Sequence, residues 1–127
     1  MALIGAGVWY WNVRKSEAAV YGASSPVKST LHLETFVLNL ADPDQRAFLR
    51  VGIDLGLGRP MGRGEDAPPV AQIRDTILEV LADARVDDLL TEKGKAKLKA
   101  DLLHSLRERV PGQMVEEVYF TELLIQR

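Results

Sequence analysis

From Leu31 to Leu57 apolar and polar residues alternate with a period of two, the mark of a pleated strand with one buried face. Phe36, Leu38 and Leu40 alternate with Thr35, Val37 and Asn39. After a polar gap, Leu49, Val51, Ile53, Leu55 and Leu57 alternate with Phe48, Arg50, Gly52, Asp54 and Gly56. In that gap, Ala41 to Arg46, Pro43 fixes φ and Asp42 and Asp44 can bond their own backbone, so the chain turns there. The pattern predicts an antiparallel hairpin whose aliphatic face needs a cover.

The cover arrives with a change of period. Pro68 and Pro69 suit the first turn of a helix that Asp66 would cap, and Val70, Ile73, Ile77, Val80, Leu81 and Ala84 then recur at spacings of three and four. Val86, Leu89 and Leu90 close that helix off. Thr91 fits the N-cap of a second helix with Glu92 in its first turn, Leu98, Leu102, Leu106 and Val110 as its buried face, Leu103 beside them and Pro111-Gly112 as its end. Val115 to Gln126 reads as a long strand with Val118, Phe120 and Leu124 on one side and Tyr119, Leu123 and Ile125 on the other. Apolar residues on both sides predict a strand covered twice, either central in the sheet or covered by a neighbouring subunit. Tyr119, Phe120, Leu123 and Ile125 are therefore candidates for self-association or partner contact. The expected fold class is α+β, a small mostly antiparallel sheet with two amphipathic helices packed on one face.

Leu33-Glu34-Thr35-Phe36-Val37-Leu38-Asn39-Leu40, followed by Phe48-Leu49-Arg50-Val51-Gly52-Ile53, is similar to the signature of the FliL family, the flagellar basal body-associated proteins. There an apolar-E-x-F-x-V-N-L strand leads through a polar turn into Y-L-R-V; Leu38 stands where the family often has a β-branched residue. Ile73-Arg74-Asp75, Leu89-Leu90-Thr91, Gly94-Lys95, and Val118-Tyr119-Phe120-Thr121-Glu122 with Ile125-Gln126 resemble the remaining landmarks in their family order. No single piece is specific, whereas the ordered set is.

Met1 to Val13, MALIGAGVWYWNV, carries no charged side chain, and Arg14, Lys15 and Glu17 end the run. As a helix it would rise about 20 Å, short of a hydrocarbon core of about 30 Å. A signal peptide would want a basic start, which is missing. A buried element of the domain is a second reading, although Trp9, Tyr10 and Trp11 side by side suit an interfacial aromatic belt better. The preferred reading is the tail end of a transmembrane helix, with Leu3, Ile4, Val8, Trp9, Tyr10 and Trp11 as membrane anchor. Arg14 and Lys15 taken alone would place the domain in the cytoplasm by the positive-inside rule, whereas the family resemblance implies the periplasm. The expected organisation is a partial transmembrane segment over 1–13, a linker over 14–30 and a domain over 31–127.

With 127 residues and 46% apolar composition the chain has material for one domain and a real core. A net charge of −2 supplies no overall field for nucleic acid, and the absence of cysteine removes disulfides, thiolate metal sites and cysteine nucleophiles. Four glycines and three prolines crowd Gly56 to Pro69. A dinucleotide fingerprint would need glycine at Met61, and no Gly-Lys-Ser/Thr follows, so a connection is expected there, with Arg59 and Arg63 solvated. Lys93, Lys95, Lys97 and Lys99 fall on two stripes of the second helix and read as a solvated face. His104 and His32 read as structural rather than as metal ligands. No catalytic motif is recognisable, and neither cofactor nor enzymatic activity is expected.

The family resemblance implies more: a domain like the stomatin/prohibitin core, and a single-pass inner-membrane protein of the basal body. Its periplasmic domains would associate as a homo-oligomeric ring or arc and support the flagellar stator proteins in generating torque. The alternative is a non-flagellar stomatin-like scaffold that regulates a channel or protease. A nucleotide enzyme built on the Gly56 to Gly64 loop is a further, lesser reading.

Overall fold

A computed structural model describes residues 26–40 and 46–127. The expected anchor residues Leu3, Ile4, Val8, Trp9, Tyr10 and Trp11 and the turn residues Asp42, Pro43 and Asp44 lie outside the described residues. The elements run β1 (Ser29–His32), β2 (Phe36–Leu40), β3 (Ala47–Leu57), α1 (Val70–Ala82), α2 (Val86–Leu89), α3 (Glu92–Arg109) and β4 (Val115–Gln126), with 3-10 turns at Gly64–Asp66 and Pro111–Gln113.

β3 is the centre of the sheet, and every pairing is antiparallel. β2 lies along its Ala47–Val51 half and β1 along its Asp54–Leu57 half, on one edge, while β4 runs along nearly its whole length on the other. The alternation from Leu31 to Leu40 therefore belongs to two short strands, and the sheet begins at Ser29 inside the expected linker. The break at Leu33–Thr35 has a plain cause. Leu33 and Phe36 are both buried although three positions apart, so the chain must slip phase between them to point both inward.

β4 corrects the sequence reading twice. Among the described residues it is an edge strand, which removes the central of the two positions expected for it, and its alternation slips at Thr121, because Gly52 faces Glu122 while Ile53 faces Phe120. Past this bulge Phe120, Leu123 and Ile125 share the core side, while Tyr119 and Leu124 are exposed. Gly52 permits it: a Cβ there would collide with Thr121 Oγ1.

α1 begins at Val70 with Pro69 at its N-cap and no side-chain cap, so the expected role of Asp66 is not realised. Asp66 sits in a 3-10 turn, and the extended backbone of Ala67 ahead of Pro68-Pro69 carries its carboxylate away from the helix start. Val86 and Leu89 bury from the separate turn of α2, and Leu90 is exposed. Thr91 does cap α3, its Oγ1 accepting from Gly94 N at 2.9 Å. Ile73, Ile77 and Leu81 of α1 and Leu98, Leu102 and Leu106 of α3 join Leu49, Val51, Ile53, Leu55 and Leu57 of β3 in one core. Each such side chain contributes about 1.5–3 kcal/mol on burial. The two helices are tied at their ends, with Arg109 Nη2 2.7 Å from Glu79 Oε1 and Gln72 Nε2 donating to the Arg109 carbonyl at 3.3 Å.

Candidate functional site

With the helices on one side, the other face of the sheet is left open by the described residues. Register sets its rows: Val37, Arg50 and Leu124 lie level, as do Asn39, Phe48 and Gln126, and His32, Asp54 and Tyr119. Val37 is 58% exposed, Phe48 51% and Leu124 54%, so three apolar side chains from three strands stand together in solvent. They line, with Arg50 and Gln126, a shallow pocket of about 290 Å³. Exposed apolar residues gathered on one face mark a contact surface more often than scattered ones do. Beside them the missing side chain of Gly52 lets Glu122 reach over β3, its Oε1 lying 3.4 Å from both Arg50 Nε and Thr35 Oγ1. His32 Nδ1 lies 2.8 Å from Asp54 Oδ1, which gives the histidine a structural partner. The Tyr119 phenol is pushed above its ordinary range, first by burial and then by the nearby Glu117 carboxylate.

On the helix side the two sheet edges share another property. Leu31 and Leu38 on one edge, and Phe120, Leu123 and Ile125 on the other, pack on the core but remain only partly covered. Lys99 reaches from α3 to within 5.7 Å of the Phe120 ring centroid. Of the candidate strand residues, then, Phe120, Leu123 and Ile125 point to the helix side and Tyr119 to the open face. The sequence reading named neither Val37, Phe48 nor Leu124 as surface. Val37 and Phe48 were legible as apolar residues in the polar phase of their strands; Leu124 was hidden by the bulge.

A second concavity of about 460 Å³ opens between α1, α2 and α3, floored by Val80, Ala84, Leu89 and Leu98 and rimmed by Asp83, Asp88, Asp101 and His104. Lys97 pairs with Asp101 at 2.9 Å there, and this bond and attraction raise the ammonium pKa. His104 has an acidic partner one turn on, Glu108 at 3.5 Å. Among the described residues no three His, Cys, Asp or Glu side chains gather to hold a metal.

The glycine-rich connection is stitched to the domain rather than loose. Ser29 Oγ donates to the Arg59 carbonyl at 2.7 Å, Gly58 N to the Met114 carbonyl at 2.6 Å and Arg59 Nη1 to the Gly112 carbonyl at 3.2 Å. Arg59 is thus half-buried and structural, where solvation was expected; Arg63 is exposed.

The flagellar basal body-associated protein FliL family matches residues 30–126, which take in all but the first residue of the sheet and all the helices. The chain belongs to the FliL family. The flagellar protein FliL of Aquifex aeolicus (strain VF5) is 31% identical over 91 residues, covering 72% of this chain and 56% of that protein. That of Bacillus subtilis (strain 168) is 26% identical over 100 residues, 79% of this chain and 69% of its own length. The match to the Aquifex protein therefore spans a little over half of that relative. Basal-body association is the property the family description carries. Among the described residues no helix is long and apolar enough to cross a membrane.

Proposed function

We propose that this chain is a membrane-anchored protein of the flagellar basal body whose folded domains associate with one another and with the motor's stator units, and support those units in generating torque. The observation that carries the reading is the family match over the whole folded domain. The open apolar face of Val37, Phe48 and Leu124 and the half-covered edges supply surface for such contacts. The segment from Leu3 to Trp11 holds the domain to the inner membrane, and the residues up to β1 act as a tether into the periplasm. A ring or arc of domains that prefers the conducting form of the stator shifts its population toward that form, with no chemical step.

The test is where the full-length protein goes in living cells, using a fluorescent tag that works in the periplasm, imaged together with stained filaments. Spots at filament bases that disappear when stator proteins are removed are expected. A uniform membrane halo indifferent to flagella would contradict the reading and favour a non-flagellar scaffold.

A further inference from the structure

The two outer edges of the sheet have the same shape. β1, β2 and β4 all run antiparallel to β3, so they run parallel to one another, and register across β3 makes Thr30 level with Glu117, His32 with Tyr119, Phe36 with Leu123 and Asn39 with Gln126. Between the levels Thr30–Glu117 and Asn39–Gln126 each edge carries one irregularity, and it sits at the same height; a second shift of β4, between Gly56 and Leu57, lies beyond that stretch. On one side Leu33, Glu34 and Thr35 span the two positions Ile53 and Gly52; on the other Phe120, Thr121 and Glu122 span the same two. The residue-for-residue correspondence therefore runs from Thr30–Glu117 to Asn39–Gln126 without a slip. Among the described residues neither outer edge is paired with another strand.

We propose that copies of this chain join edge to edge, the outer edge of β4 in one copy pairing in parallel, at level register, with the outer edge of β1 and β2 in the next. This rests on the self-association proposed above and names the surfaces that make it. An unpaired edge is a template for another strand, and two strands can zip over a bulge only when both accommodate it at the same place. These two edges do.

The side chains agree on both faces. On the open face the joint sets Val37 beside Leu124 and Asn39 beside Gln126, an apolar pair and an amide pair. On the helix side it sets Leu38 beside Ile125, both partly covered, and the partly covered Leu123 beside the buried Phe36. At one end charge points the same way: Lys28 lies two residues before Thr30, the residue level with Glu117, whereas at the break Glu34 lies near Glu122, whose carboxylate is already engaged by Arg50 of its own copy. Two copies of β4 facing each other would instead oppose carboxylates. Because the joining edges differ, the contact is head-to-tail, which propagates into a ring or an open arc rather than stopping at a dimer.

The chain has no cysteine, so placed cysteines report cleanly. Within one copy Val37 and Leu124 are separated by β3, at two strand spacings or about 10 Å, beyond disulfide reach. The full chain carrying V37C and L124C together, in mild detergent, is oxidised to form disulfides and run on a non-reducing gel. A ladder of multimers is expected from the double variant, a dimer only from a mixture of the two single variants, and no bond from either single variant alone. V37C with Y119C, which are not level, should give no ladder. Bonds in the single variants alone, or an equal ladder from the mismatched pair, overturn the edge assignment. So does a chain that sediments as an oligomer yet gives no bond, a result that leaves self-association standing. A chain that sediments as a monomer at every concentration removes self-association itself. Thermal melts matching the unsubstituted chain establish that the variants, all at exposed positions, are folded.

Discussion

Arg74 of α1 spreads its guanidinium 4.1 Å from the centroid of the Phe36 ring on β2, and its Nη1 donates to the Glu34 carbonyl at 2.7 Å. One side chain thus fastens a helix to the phase slip between β1 and β2, where the sheet ladder leaves carbonyls to be satisfied by other means. Arg74→Ala is expected to lower unfolding free energy by about 1–2 kcal/mol, the sum of a partly exposed cation–π contact and one hydrogen bond. Arg74→Lys should lose less. Urea denaturation checks both, and a double-mutant cycle with Phe36→Leu should return a coupling of about 0.5–1 kcal/mol.

Gly94 sits in the first turn of α3, where alanine is ordinarily the better helix former by about 1 kcal/mol. Here a Cβ would collide with the backbone carbonyl of Asp88, which closes against the start of α3. Gly94→Ala is expected to destabilise by about 1–3 kcal/mol, while Gly112→Ala, with open space around it, should stay within about 0.5 kcal/mol. Thermal melts of the pair distinguish close approach from a general intolerance of alanine.

Met114 has φ 52°, a left-handed conformation that costs a side-chain-bearing residue about 1–2 kcal/mol. It is held there because its carbonyl accepts from Gly58 N as the chain turns into β4. Met114→Asn, which tolerates the conformation better, is expected to raise the melting temperature by a few degrees, roughly what 0.5–1 kcal/mol produces in a domain of this size. An unchanged or lowered melt would show that the half-exposed thioether contributes more than the strain costs.

Alkaline pH acts through Tyr119 and Lys97. Both have folded pKa values raised above their ordinary 10.0 and 10.5, Tyr119 by burial and then Glu117, Lys97 by its bond and attraction to Asp101. A raised folded pKa stabilises fully below the unfolded value, and the contribution disappears as pH climbs through the folded one. Melting temperature should therefore hold up to about pH 10 and fall above it. Tyr119→Phe should flatten part of that fall, and phenolate absorbance should show one of the three tyrosines titrating late. Lys97 is fully solvated, so Asp101→Asn should change the profile only slightly.

Much of this fold was legible because its strands and helices keep their periods over long runs. Ile73 to Leu81, Leu98 to Leu106 and Leu49 to Leu57 are buried as alternation requires, and Thr91 caps as its position suggests. The failures within the strands come from single-residue slips that period counting averages away. Thr121 is inserted opposite a glycine, so Leu123 and Leu124 exchange faces relative to the simple count, and Leu33 and Phe36 share a side across a break. The Pro68-Pro69 pair, which reads as a helix start, instead keeps Asp66 from capping. The open-face patch follows only once those slips are known, since Leu124 cannot otherwise be set level with Val37.

Lysine at that patch tests its role apart from stability. Val37→Lys and Leu124→Lys place charge on a solvated face, so the unfolding free energy of the isolated chain should move by no more than about 0.5 kcal/mol. Sedimentation should nevertheless show loss of association, because both positions fall at the proposed joint between copies. Retained association would move the contact elsewhere on the domain.

The central claim, a basal-body protein that acts through domain association beside the stators, is tested most directly in swimming cells. The chromosomal copy is replaced by the Leu124→Lys variant at matched protein level, and swimming speed in viscous medium is recorded together with the number of stator units at each motor. Slower swimming under load and fewer engaged stators than in cells with the unsubstituted chain are expected, approaching cells that lack the protein. Unchanged speed and stator number, in cells where removal of the whole protein does impair swimming, would contradict the claim.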